Sequence, residues 1–564
     1  MKRIGKQLMV MAVIGTAALF GLTGGALSDD VSYERLLNAD KESQNWLTYY
    51  GNYKGWRYSA LNQINTTNVK RLVVKWAFQT GPNSNFQVTP LVVDGVMYLA
   101  NNENEVFALD AATGKMLWRY THEFPDQEKM PLRIWGAKIN RGISIAMGKV
   151  LMGTWDAHLV ALDAKTGKLL WKVQGGDYEA GYAFTSPPLI VKDKAITGIV
   201  TGEMPNRAYI SAYRIDSGEM LWRFYTVPGA GEPGSETWGG DSWQYGCGAA
   251  WIPGTYDPEL NLVYIGTGNP CPFWDGDVRP GDNLYTDSIV ALDAGTGKLK
   301  WYFQTTPHDV WDLDAMAELV LIDTAIQGKP VKALFQANKN GYFYALDRTN
   351  GRLLYAKPFI SRINWTKGLD PTGRPIPGIV PTPEGADICP GFGGGKNWNH
   401  MAYSPKIGYA YIPAVDQCHR VKVVSAKPRK GTLYLGGEGL LLGEAAHGLL
   451  EALDVKTGEI RWQHRTKYPM PASVLATAGG LVFTGDQEGN ALAFDAANGK
   501  LLWSLNTGSG LHGSPISYAV GGKQYIAVPS GWGGLWGYYQ PEAFPERANA
   551  TWGSTLFVFG LFED

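Results

Sequence analysis

The chain has 564 residues, 45% of them hydrophobic and 18% charged, with 51 basic against 52 acidic side chains and a formal charge of -1. A near-neutral chain with no long run of like charge offers no basic face for phosphates, so nucleic acid is excluded as an expected partner. Seventy glycines beside 21 tryptophans point instead to many tight turns and many large anchoring side chains.

In chain order, residues 1–28 come first and read as a secretory signal. Lys2, Arg3 and Lys6 form a positive start, Leu8 to Leu22 are mostly apolar, and Thr23 to Ser28 supply small residues for cleavage. A retained anchor is the alternative, although the apolar run falls short of the roughly 20 residues that span a bilayer. Cleavage moves the charge from -1 to about -4 and delivers residues 29–564 to the periplasm as one domain. In an oxidising compartment the four cysteines Cys247, Cys271, Cys389 and Cys418 are even in number and free to pair. No C-x-x-C-H is present, so covalent haem is not expected.

One phrase then recurs. It runs from Ala108 to Trp118, returns as ALDAKTGKLLW from Ala161 to Trp171, and closes again at Trp222, Trp301, Tyr355, Trp462 and Trp503. A degenerate first copy, Leu72 to Trp76, keeps only the closing strand. Each copy reads as strand, glycine turn and strand, and hairpins such as Pro90 to Leu99, with Asp94-Gly95 at the tip, precede several of them. Two hairpins make a four-stranded unit that cannot bury both faces alone, so the units must stack. Eight closing aromatics predict an all-β, eight-bladed β-propeller held by tryptophan docking; a stacked β-solenoid is the rival. The strand-like Gln524 to Val528 is expected to close the ring with the N-terminal segment. Gaps of 79 residues (Trp222 to Trp301) and 107 residues (Tyr355 to Trp462) are insertions, where function is usually carried.

The insertions carry a resemblance. Phe224 to Gly229, Thr255 to Asn261, Gly266 to Pro270, Arg279 to Asn283, Thr306 to Asp312 and Lys339-Asn340-Gly341 closely resemble the PQQ-dependent (quinoprotein) alcohol and methanol dehydrogenases, non-haem type. The likeness runs from about Leu36 to about Trp536. It implies pyrroloquinoline quinone (PQQ) beside a metal ion held by Glu203, Asn269 and Asp312. Taken singly, each of these could be an exposed acid, a turn residue or a cap. Asp314, two positions on, resembles the added aspartate of the lanthanide-dependent members, because a trivalent ion is better neutralised by one more charged oxygen. A lanthanide is favoured, with calcium kept open.

The resemblance also implies Asp312 as the base for the alcohol proton and Lys339 as its partner at the quinone oxygen. Trp251 is similar to the stacking tryptophan and Arg141 to a carboxylate-binding arginine, while Gln87, Thr185, Asn397 and Trp398 fall at rim positions. The pattern departs where relatives of the methanol type carry adjacent cysteines, since Trp135 and Gly136 stand there; Trp135 could cap the cofactor or be a core residue. Cys389 and Cys418 resemble a family disulfide, and Cys247 and Cys271, flanking Trp251 and Asn269, could form a second. The implied activity is oxidation of a primary alcohol to an aldehyde, with electrons passing to a soluble cytochrome c. A polyol or sugar dehydrogenase and a non-catalytic propeller scaffold are the alternatives. Oligomeric state is left open, a homodimer included.

Overall fold

The structure, a computed structural model, describes residues 30–81, 85–124 and 138–562. Residues 1–28 and Trp135 lie outside them, and with them the expectations of a signal and of a cap at Trp135.

Among the described residues the chain forms seven four-stranded antiparallel sheets and one in which a fifth, parallel strand, Tyr58–Ser59, joins the edge at Leu475–Thr477. The first sheet consists of Leu91–Val93, Val96–Ala100, Glu105–Asp110 and Met116–Thr121 in consecutive order. Its leading hairpin turns on Asp94 and Gly95, both with positive φ (49° and 83°). That is the geometry whose twist matches the flanking strands.

The recurring phrase now has a physical reading at each letter. Asp110 Oδ1 accepts hydrogen bonds from the backbone of Ala112 and Thr113 and from the Thr113 hydroxyl, at 3.1, 2.9 and 2.8 Å. This side-chain turn is repeated at Asp163 and Asp293. The alanine is required because it faces the closing aromatic across the ladder: Ala108 pairs with Trp118, Ala161 with Trp171 and Ala291 with Trp301. A register shift just before each of these tryptophans re-aims the ring out of its own sheet.

The ring then lands on the next sheet. A Cβ on Gly167 would lie 2.5 Å from the Trp118 indole, and one on Gly351 would lie 2.6 Å from Trp301, so only glycine admits the contact. The same indoles donate to the following sheet's backbone, Trp118 Nε1 to Ala164 O at 3.1 Å and Trp301 Nε1 to Arg348 O at 3.1 Å. Tyr355, the one non-tryptophan of the set, makes the equivalent bond through its hydroxyl to Val455 O, 2.6 Å.

The remaining sheet joins the two ends of the chain. Leu72–Gln79 pairs with Thr555–Leu561, which pairs with Lys523–Ser530 and through it with Ile516–Val520. The expectation that Gln524 to Val528 meets the N-terminal segment holds with one correction: Thr555–Leu561 lies between them. Trp76 from this sheet packs on Gly114 of the first sheet, and Trp503 reaches it from the other side, its ring 5.1 Å from Phe559. The long gap after Tyr355 holds a hairpin, Thr366–Leu369 with Pro375–Pro377, and a three-stranded sheet of Ala386–Ile388, His419–Val423 and Gly437–Leu441. No described helix is long and apolar enough to cross a membrane.

Because Trp301 is buried and both packed and hydrogen-bonded across a sheet boundary, Trp301→Ala should cost about 3–5 kcal/mol. A lowered denaturant midpoint with unchanged far-UV dichroism of the native state is the expected result.

Candidate active site

In each sheet the strands alternate in direction, so the link from second to third strand and the link from fourth strand to the next sheet emerge at the same end. The Asp–Thr–Gly turns occupy the other end. Every described candidate residue sits in one of the first two kinds of link. Glu203, Asn269 and Lys339 lie between second and third strands; Gln87, Arg141, Thr185, Trp251, Asp312, Asp314, Asn397 and Trp398 lie between sheets. Topology alone therefore gathers residues separated by up to 311 positions (Gln87 to Trp398) at one end of the molecule.

There they line a cavity whose atom-free space, counted out to its open mouth, is about 810 Å³. Of the sequence candidates, Gln87, Arg141, Thr185, Glu203, Trp251, Asp312, Asp314, Lys339, Asn397 and Trp398 face it. Asn269 stands just behind: it is buried, and its backbone N–H donates to Asp314 Oδ1 at 2.9 Å.

The electrostatic centre is a lysine between carboxylates. Lys339 Nζ donates to Asp312 Oδ1 at 3.0 Å and to Asp314 Oδ2 at 2.7 Å, with all three side chains buried. Burial pushes the Asp312 carboxyl well above the ordinary carboxylate range, Lys339 opposing while Asp314 and Glu203 add to the rise. Burial likewise disfavours the Lys339 charge, but the two aspartates outweigh it and hold the ammonium above the ordinary lysine range. Two aspartates on one lysine, with Glu203 near Asp312, leave an excess of acidic groups in low dielectric, which suits a further cation. The loop is shaped by Asp309, whose carboxylate accepts from Trp311 N and Leu313 N, both at 2.8 Å. Glu203 and Asp312 both hold left-handed backbone, φ 59° and 66°. That conformation costs about 1–2 kcal/mol per residue and must be held by its surroundings.

Those surroundings include a disulfide. Cys247 and Cys271 are bonded, as are Cys389 and Cys418. The former ties three loops together, since Cys247 N donates to Asn206 O (2.7 Å), Gly248 N to Asn269 O (3.1 Å) and Cys271 N to Gly246 O (3.2 Å). It also lies against Glu203, whose carboxylate is within 4.8 Å of both sulfurs.

Another part of the wall is aromatic. The Arg141 guanidinium lies 4.7 Å from the Trp251 ring and 4.9 Å from Trp398, and Arg141 donates to Thr185 Oγ1 at 2.9 Å. Arg141 Nε and Gln87 Oε1 are buried without a protein partner, which is costly unless a ligand completes them. Among the lining residues not singled out from the sequence are His512 and Trp536. His512 packs beside Trp398, and burial with Arg141 nearby holds it neutral, its pKa lowered to about 3. Trp536 comes from the helix Gly534–Ala543, in the link between second and third strands of the last sheet. The glycine-rich run from Gly531 to Gly537 was its only signal.

Residues 46–357 and 435–526 match the family described as PQQ, glucose/ethanol/alcohol dehydrogenase, β-propeller domain. The chain is 41% identical to the quinoprotein alcohol dehydrogenase PedH of Pseudomonas putida, over 92% of this chain and 91% of that protein. It is 36% identical to the lanthanide-dependent methanol dehydrogenase of Methylacidiphilum fumariolicum, over 94% and 91%. Among solved structures, a europium-containing methanol dehydrogenase superposes with a TM-score of 0.88 at 34% identity, covering 94% of this chain and 100% of that one. The quinohemoprotein alcohol dehydrogenase ADHIIG of Pseudomonas putida gives 0.88 at 35%, over 95% and 83%. The chain belongs to the PQQ-dependent quinoprotein alcohol dehydrogenase family and has its all-β propeller fold.

Proposed function

We propose that this protein is an exported PQQ-dependent alcohol dehydrogenase that oxidises a primary alcohol to the aldehyde, with a lanthanide as its metal and a separate cytochrome c as electron acceptor. The single observation that carries the reading is the cavity in which Lys339 bridges Asp312 and Asp314 and which Trp251 and Arg141 also line. Export is supported by the charged and apolar pattern of residues 1–28 and by the two disulfides. We take residues 29–564 as one eight-bladed ring, a reading supported by the order in which the aromatics pack from sheet to sheet.

The residues fit the implied groups. The unpartnered Arg141 Nε and Gln87 Oε1 suit the rim of a flat polycarboxylate, with the Trp251 ring beside them. The oxygens of Glu203, Asn269, Asp312 and Asp314 make an all-oxygen donor set for a hard cation, and three of the four bring a charge. Bound there, PQQ supplies a two-electron acceptor and the cation Lewis acidity.

The chain's own part is proton handling and orientation. Asp312, ionised, accepts the alcohol O–H proton on a carboxylate oxygen. Burial disfavours that ionised form, so the Lys339 ammonium is what keeps it accessible. Lys339 also fixes the Asp312 rotamer while Asp314 holds the other side of the ammonium, and the aromatic wall of Trp398, Phe392 and Trp536 excludes water.

Asp312→Asn should lower kcat by about 10³-fold, in the range of lost general-base catalysis, with PQQ binding retained; a kcat within tenfold of wild type contradicts the assignment. Reconstitution with PQQ plus lanthanum or calcium, followed by dye-linked assay on short alcohols and sugars, tests metal and substrate together. Lanthanum should support the higher rate on alcohols, and Asp314→Ala should remove that preference. Equal activation by both ions, or an Asp314→Ala variant that keeps the preference, overturns the lanthanide reading.

A further inference from the structure

Outside the cavity, at the same end of the sheets, a second cluster of metal-competent side chains crosses a sheet boundary. His122 follows the outer strand Met116–Thr121 of the first sheet; in the next, Asp156 lies in the turn after Lys149–Gly153 and His158 opens the strand His158–Asp163. One ligand atom from each lies within 4.8 Å of the other two. His122 Nε2 is 3.0 Å from both Asp156 oxygens, and His158 Nδ1 is 3.0 Å from Asp156 Oδ2.

Asp156 thus carries two imidazoles on one carboxylate, and His158 Nδ1, buried and 3.0 Å from Oδ2, meets it off the line of a good hydrogen bond. Two ring nitrogens and a carboxylate converging within 4.8 Å are more than a single histidine–aspartate pair needs. The other atoms of the cluster are supported in the manner of metal ligands. Asp156 Oδ1 is held by the Thr154 hydroxyl at 2.5 Å, and His122 Nδ1 lies 3.3 Å from the Tyr120 hydroxyl, so a proton on Nδ1 frees Nε2 as a donor of electrons. Asp156 and His122 are buried, while the His158 side chain keeps 15% exposure and gives an ion a route in.

We propose that His122, Asp156 and His158 bind a divalent first-row transition-metal ion of the zinc or copper class, which cross-links two neighbouring sheets. Two imidazoles and one carboxylate select such an ion, whereas calcium and lanthanides take all-oxygen sets. The site also borders the cofactor corner. His122 N donates to Asn104 O (3.3 Å), Asn104 Oδ1 accepts from Asn140 Nδ2 (3.0 Å), and Asn140 precedes Arg141. The ion therefore braces the loop that carries the cavity arginine.

The test uses the holoprotein loaded with PQQ and lanthanide, so that the first site is filled. Titration with zinc should show one tight equivalent and a raised Tm, and cobalt should give the visible d–d bands of a low-coordinate nitrogen–oxygen site. His158→Ala, at a partly exposed position that folding tolerates, should weaken zinc binding at least about tenfold, and His122→Ala/His158→Ala should abolish it. Asp312→Asn should leave it unchanged. Absence of zinc binding and of any Tm shift in the intact protein, or binding undiminished in His158→Ala, means a metal-free histidine–aspartate triad only and overturns the proposal.

Discussion

Most sheets of this molecule are held to the next by an indole lying on a glycine that has no side chain to keep it off. The contact needs an alanine across the ladder to make room for the ring, a register shift to aim it, a glycine on the neighbour to receive it and a backbone carbonyl to take its N–H. No sheet satisfies these conditions alone, so the unit of stability is the boundary between sheets. Joining the first and last parts of the chain in one sheet extends the same logic to the termini, because Thr555–Leu561 supplies the strand that Leu72–Gln79 would otherwise lack.

That scaffold determines where chemistry can occur. Antiparallel order sends alternate links to one end, and the recurring turns, tightened by their own aspartates, occupy the other. The end with the long links accumulates strain and charge that a compact turn could not hold. There, Glu203 and Asp312 sit in left-handed backbone, acidic groups surround Lys339, and the Cys247–Cys271 bridge ties three loops together. An excess of buried carboxylate is unfavourable without a cation and productive with one. The proposed metal site thus follows from the same burial of neighbouring carboxylates that raises the Asp312 pKa.

The repeat made the sheets legible from the sequence because each letter of ALDAxTGKxLW answers a local demand of turn, ladder or docking. The strand Thr555–Leu561 was not legible, since it lies after the last copy and does not carry the phrase. At the site, Asp312, Lys339 and Arg141 could be found because they stand inside long distinctive phrases. His512 and Trp536 could not, because single aromatics in glycine-rich links acquire meaning only when the fold turns them toward the cavity. The Cys247–Cys271 pair was open for a related reason: 24 residues of separation say nothing of distance until two links are seen side by side.

The central claim is that one end of the sheets holds a quinone over a cation bound by Glu203, Asn269, Asp312 and Asp314. Anomalous diffraction from crystals grown with PQQ and lanthanum tests it most directly. A lanthanum peak among those four side chains, with the quinone density beside Trp251, is the expected result. Lanthanum found only elsewhere, or a quinone bound outside the cavity, would contradict it.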